Sequence, residues 1–355
     1  MTQNLEQEVT KALLYLERVQ PDSALILEEN LLQAQKNILA GIANTTNQKK
    51  IRTLVNKEMS LAFEDLDEAV IEDMRDIAGT TWDKMGSIMA DGFVTTQAAK
   101  AFTKFKDISK EAKARLTNKN MLIQGHTLDK HFKHLNSTST AKVQGIIING
   151  FDKGQGIAEI GRNVRNTIGA TYRNQANTLI RTSMLENIEA VKNESWKEFE
   201  DEIDGYKFSA VMDTRTSKYC FLHNGYITKE QAAAKYRPKT HYNCRSVWIP
   251  QNDLIREFDK LNPDKNIVQW NGKKVNHRDG TKSTKFKVGE VKQVAKGSTP
   301  ETFFKSFDDK YQREYLGAKR YELWKDGKMS FKDAMNVSRK KLLAKDKVNL
   351  LLLNK

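Results

Sequence analysis

The sequence predicts a mainly α protein that carries one small α+β module, and three observations lead there. Proline occurs only at 21, 238, 250, 263 and 300, so the stretch from Ser23 to Arg237 lacks the strongest helix breaker. Apolar residues recur at helical spacing through most of that stretch. After Gly205 the pattern changes to short alternating runs, and helical spacing returns only near Thr299. Short strands are therefore expected around residues 206–290, between a helical N-terminal region and a helical C-terminus.

The elements follow in order. "SALILEENLLQAQKNILAGI" places Leu25, Leu27, Leu31, Leu32, Ile38 and Leu39 on a broad helical face, with Asp22 or Ser23 as its cap. "IRTLVNKEMSLAFEDLDEAVIEDMRDIAGTTWDKM" repeats the pattern as a long helix, and the absence of a sustained heptad favours a bundle over a coiled coil. His126, His131 and His134 follow, set among lysines, and are expected on the surface rather than on a metal. Ser137 to Ser139 can cap a helix ending near Gly150, Gly156 leads into a second, and "ATYRNQANTLIRTSMLENIEAVKNESWKEFE" forms a third. "YKFSAVMD" alternates as one strand and "CRSVWIP" as another, while "NG" and "DG" in the next segment suggest a hairpin. Thr299 or Thr302 caps the returning helices, and "DGKMS" makes a turn before the last. This gives a helical N-terminal region for protein contacts at 1–136, a three-helix unit at 137–205, a Cys/His module at 206–255, and a basic hairpin with C-terminal helices at 256–355.

Composition narrows the class. At 355 residues and 39 % hydrophobic content the chain can bury real cores, yet it holds no run long and apolar enough to cross a bilayer. Its first residues carry acids among the apolar ones, unlike a signal peptide. Two cysteines do not make a disulfide scaffold, so reduced thiols in a cytoplasm are expected. The net charge of +14 is uneven: residues 251–355 hold 25 Lys and Arg against 14 Asp and Glu. That region attracts a polyanion, nucleic acid first and an acidic protein next, unless it is simply a solvated lysine-rich surface.

Both cysteines fall in one short span, as C-x2-H at Cys220 and His223 and H-x2-C at His241 and Cys244. Four such donors in two close pairs suit tetrahedral Zn2+, which would staple the loop between two strands. The alternative is a local fold in which both cysteines are small buried apolar residues and the histidines bond to backbone. Asp213 and Arg215 end a strand two residues apart and can fix the start of the Cys loop. Arg245, directly after Cys244, can reach Asp213 or a carbonyl near a metal.

The stretch "DTRTSKYCFLHNG" followed by "THYNCRS" resembles the signature of the phage Mu F-like head morphogenesis, or minor head, proteins. Asp213, Arg215, Thr216, Cys220, Gly225, His241, Cys244 and Arg245 occupy the family's positions, while Ser217 stands where the family usually has its first Cys. His223 is then the candidate for the missing ligand. "ANTLIRTSMLENIEAV", with Arg181 and Thr182, and "YQREYLGAKRYELWKDGKMSFKDA", with Gln312, Leu316, Gly317, Arg320, Leu323, Gly327 and Lys328, are similar to two further family segments. In the last of these Leu316, Tyr321, Leu323 and Trp324 read as a core face, Gly317 as a site of close helix approach and Gly327 as a turn. The resemblance runs from about Asn149 to about Ala334.

It implies a non-enzymatic minor head protein of a tailed phage, in the procapsid near the portal vertex and in the virion. The partners would be portal, scaffold or major capsid protein and double-stranded DNA, with no membrane. Arg339, Lys340, Lys341, Lys345 and Lys347 are the expected phosphate contacts. H-x-E with P-C-x-x-C, H-E-x-x-H and the phosphate-binding G-x4-G-K-[ST] are all absent, which removes the common zinc hydrolases and a packaging ATPase. A metal-dependent nuclease using His241, Asn243 and Asp213 is the best enzyme alternative, and a pure protein-interaction subunit the best non-enzyme one.

Overall fold

The computed structural model describes residues 21–92, 122–225 apart from 124, 227–228, 241–256 apart from 254, 268–270, 291–293 and 299–335, with isolated positions at 5–12 and 114–117. The N-terminal helices are α1 (Asp22–Ile42), α2 (Gln48–Ala62) and α3 (Leu66–Gly92). Asp73 of α3, not Asp22 or Ser23, caps α1: its carboxylate accepts from the backbone N–H groups of both, at 3.1 and 3.0 Å. The long helix expected from Ile51 onward is two, because Asp65 turns the chain at φ 52° between α2 and α3.

A short hairpin of β1 (Leu122–Ile123) and β2 (His126–Thr127) leads into α4 (Leu128–Asp152). Thr127 caps α4, so Ser137 to Ser139 lie in its middle rather than at its start; Thr138 and Ser139 donate back to the carbonyls of His134 and Asn136. The histidines are not all loose surface groups. His131 is half-buried, with Nε2 2.6 Å from the Ile123 carbonyl and its ring edge-on to His126. At Gly150 a Cβ would meet Ile160 Cγ1 at 2.6 Å, so glycine there lets α4 approach α5 (Ile157–Asn166).

From α5 the backbone stays helical through a π segment (Thr167–Tyr172) into α6 (Arg173–Ser195). A wider π turn inside an α-helix shifts the facing of everything beyond it. Ile160, Val164, Ile168, Tyr172, Ala176 and Ile180, spaced by four throughout, are all buried. In a pure α-helix that spacing would wander around the rod; the π segment keeps it on one side.

A 3-10 turn (Trp196–Glu202) delivers the chain to the β module. The single strand expected over Tyr206–Met212 is split between two sheets. β3 (Gly205–Ser209) sits between β5 (Ile227–Thr228) and β6 (Val247–Gln251), all antiparallel. β4 (Val211–Met212) runs parallel to β7 (Val268–Trp270), which pairs antiparallel with β8 (Val291–Gln293). The "NG" and "DG" turns of the expected hairpin fall within residues 271–290, which lie outside the described residues. Between β4 and β5 lies α7 (Lys218–His223). The C-terminal helices are α8 (Pro300–Lys305), opened by a capping box of Thr299 with Thr302, then α9 (Asp309–Leu316), α10 (Ala318–Lys325) and α11 (Phe331–Met335). Gly317 joins α9 to α10 at φ 86°, and a Cβ there would meet nothing within 4 Å, so this glycine serves the backbone turn and not close approach.

Two cores meet at the sheet of β5, β3 and β6. The first takes apolar residues from α1 to α6 together with Val247, Ile249 and Ile255. The second joins Phe208, Met212, Cys220, Cys244 and Trp248 to Phe303, Phe304, Leu316 and Trp324. Alternate residues of β6 thus face opposite cores, and the strand is buried along its length. Lys192 of α6 is wholly buried against this wall, with Nζ donating to Glu189 and to the Trp248 carbonyl and lying 4.5 Å from the Trp196 ring centre. The first core draws on residues before and after both 136/137 and 205/206, and the second unites the Cys/His module with the C-terminal helices.

Candidate metal centre

The D-x-R-T run is a turn built from its own side chains. Asp213 Oδ1 accepts from the Arg215 N–H at 2.8 Å, and Thr216 Oγ accepts from the Asp213 N–H at 2.7 Å while donating to the Val211 carbonyl at 2.6 Å. Arg245 closes the turn from the other side of the loop, its two terminal nitrogens donating to the two Asp213 oxygens at 2.6 Å each. Burial raises the Asp213 carboxyl, but the hydrogen bonds and charge of Arg245, helped by Arg215, outweigh it and hold the group below the usual carboxylate range. From the C-terminal helices, Tyr311 and Tyr315 donate to the carbonyls of Thr214 and Thr216 at 2.8 and 2.6 Å.

The next residue, Ser217, caps α7 by accepting from the Cys220 N–H at 3.2 Å. The helix ends at His223, and Gly225 just beyond it, at φ 84°, donates its N–H to the Phe208 carbonyl at 2.8 Å. The second pair sits on a tight knuckle in which the Cys244 N–H donates to the His241 carbonyl and Asn243 takes φ 57°. Thr182 of α6 holds this knuckle, its hydroxyl accepting from the Asn243 N–H at 3.1 Å.

Cys220, His241 and Cys244 converge, with ligand atoms all within 4.8 Å of one another. Cys220 Sγ lies 3.4 Å from His241 Nε2 and 4.0 Å from Cys244 Sγ. Tetrahedral Zn2+ with Zn–S of about 2.3 Å and Zn–N of about 2.0–2.1 Å has edges of about 3.6 Å for S···N and about 3.8 Å for S···S, so these spacings fit the ion. The tautomer fits as well. His241 Nδ1 is 2.9 Å from the Tyr242 carbonyl and must donate to it, which leaves the Nε2 lone pair facing the cysteines. The neighbouring Cys244 thiol, then burial, push the Cys220 thiol well up, while the Ser217 and Ser246 hydroxyls act the other way. Without a cation beside it, the buried Cys220 thiol is thus held protonated.

His223, the fourth ligand expected, is held elsewhere. Its ring stacks on Tyr219 one turn back, with centres 3.9 Å apart, and Nδ1 lies 2.8 Å from the Tyr219 carbonyl. The hydroxyls of Ser217 and Ser246 both hydrogen-bond to the Cys220 sulfur. The nuclease constellation does not converge: both Asp213 oxygens face Arg245, and His241 Nε2 faces Cys220. Arg339, Lys340, Lys341, Lys345 and Lys347 lie outside the described residues. Thr182, Tyr311 and Tyr315 carry no local spacing signal, because each reaches the site from a distant segment, whereas Ser246 sits two residues past Cys244; only the recurrent R-T pair hints at Thr182.

Residues 141–249 match the model of the family described as Phage Mu protein F like protein. The match covers α4 from its middle, all of α5 and α6, and the module as far as Ile249 within β6, including Asp213, the converged donors and Arg245. It takes in less than half of the chain and stops short of the C-terminal helices. No curated protein and no solved structure matches the chain significantly. No described helix is long and apolar enough to cross a membrane.

Proposed function

We propose that this chain is a non-enzymatic minor head protein of a tailed phage, acting in procapsid assembly at the portal vertex and contacting packaged DNA. The observation that carries the reading is the family match over residues 141–249, on a segment that holds the whole turn, knuckle and donor set. The helical N-terminal region would supply contacts to portal, scaffold or major capsid protein. The basic end, with Arg339, Lys340, Lys341, Lys345 and Lys347, would hold duplex phosphates without sequence preference. The protein would be found inside the procapsid and virion, and in the host cytoplasm during assembly.

Zn2+ held by Cys220, His241 and Cys244 would act as a cross-link between α7 and the knuckle before β6, with Ser217 or water at the fourth position. Asp213, Arg215 and Arg245 orient the loop around it, and Thr182 fixes the knuckle.

The test is to isolate procapsids and filled heads of the phage that encodes the chain and to quantify it by mass spectrometry. Presence in both at low, fixed copy number supports the reading; absence from both removes it. Elemental analysis of the purified protein tests the metal. One zinc per chain, lost in His241→Ala and Cys244→Ser but kept in His223→Ala, is expected, and loss with His223→Ala would restore the four-ligand site.

A further inference from the structure

In a chain with 29 % charged residues, the segment from Ile160 to Leu185 contains four arginines and no Asp, Glu or Lys. That segment lies within the continuous rod of α5, the π segment and α6, which runs from Ile157 to Ser195. Its apolar stripe faces the first core, so the polar residues fall on the outside. Arg162, Arg165 and Arg181 are exposed, and Asn166, Asn174 and Gln175 are exposed with them. Arg173 is committed to Glu28 of α1 at 2.7 Å.

The π segment that keeps the buried stripe in line also keeps the outer one in line. From Arg162 to Arg181 the rod rises about 28 Å at roughly 1.5 Å per residue, close to one turn of duplex at about 34 Å. Guanidinium and amide side chains are the usual donors to phosphate oxygens. At its far end, beside Arg181, the rod carries the knuckle through Thr182, with Tyr242 45 % exposed at the tip.

We propose that the outer side of this rod, from Arg162 to Arg181, is a binding surface for the phosphate backbone of duplex DNA. This rests on the DNA-contacting function above, but it places a contact in the folded helical body rather than in the basic end alone. An acidic protein surface is the competing occupant. Among the described exposed positions from Arg162 to Gln175 none is hydrophobic, and this, with the row of amides between the arginines, favours phosphate.

The experiment uses the full chain and a labelled duplex of about three helical turns, with affinity measured by fluorescence anisotropy across a series of KCl concentrations. Three proteins are compared with wild type: Arg162→Gln with Arg165→Gln, Arg162→Lys with Arg165→Lys, and Arg339→Gln with Lys340→Gln and Lys341→Gln. Loss of two phosphate contacts should lower the slope of log affinity against log salt by about 1.8. The Gln pair should show that loss equally on unrelated duplexes, and the Lys pair should recover it. An unchanged slope in the Gln pair beside a reduced slope in the tail variant would overturn the rod surface and leave the DNA function standing. No duplex binding by wild type at low salt would overturn both. Loss of binding to polyglutamate, with DNA binding intact, would assign the surface to an acidic protein and overturn the proposal.

Discussion

Replacing Asp213 by alanine leaves the Arg245 guanidinium, with its side chain only 6 % exposed, without the carboxylate that both its terminal nitrogens bond. Breaking a buried pair in this way costs about 3–5 kcal/mol, because the guanidinium stays buried after its carboxylate is gone. Removing both charges, as in Asp213→Ala with Arg245→Met, should recover most of that loss, since a packed apolar pair costs far less than a stranded ion. Asp213→Asn should fall between them: Oδ1 can still accept from the Arg215 N–H, but the charge is gone. Amide hydrogen exchange read by mass spectrometry resolves the effect, because the second core can open while the first stays closed. A loss of about 3 kcal/mol multiplies the open population by roughly 150. That acceleration is expected in peptides of β3, α7 and α9, and not in α1 to α3. Exchange unchanged in Asp213→Ala, or a double variant no slower than the single, would refute the reasoning.

The same pair gives a pH dependence. The folded Asp213 carboxyl lies below its ordinary value, so its stabilisation is complete above about pH 4 and is lost as pH falls through the lower folded value; Asp213→Asn should flatten the acid limb of a thermal-midpoint profile. Thr182→Val removes the acceptor for the Asn243 N–H, and chelator competition should show zinc held about 10–100-fold more weakly. Tyr315→Phe leaves the Thr216 carbonyl without its donor, for a loss of about 0.5–1.5 kcal/mol seen in the same exchange experiment. Gly150→Ala drives a Cβ to 2.6 Å from Ile160 Cγ1, and overpacking of this kind should cost about 1–3 kcal/mol in urea unfolding.

The helical class and the place of the β module were legible because proline spacing and apolar period are local signals. The cap of α1 was not, since Asp73 reaches it from another helix. Neither was the split at Asp65, where only a backbone turn at φ 52° interrupts an apolar pattern that reads straight through. At the site, Cys220, His241 and Cys244 could be read from spacing, and Arg245 could be paired with Asp213. His223 misled because three-residue spacing on a helix admits two partners, and the stack on Tyr219, one turn back, takes the ring. The sharing of a core between residues 205–251 and 299–335 has no sequence signal, because it depends on which faces of a strand are covered from afar.

That sharing has a consequence for synthesis. Every described residue of the first core has left the ribosome once Ile255 has emerged, but Phe303 to Met335 must follow before the second can close. At about 5–20 residues per second, that delay is roughly 4–16 s. Throughout it the far side of β6 shows Trp248, and β3 shows Phe208, to solvent beside two uncovered thiols. A nascent chain halted in this interval would therefore have a finished helical body and a raw, sticky sheet, a species suited to capture by a chaperone and prone to aggregate if left alone.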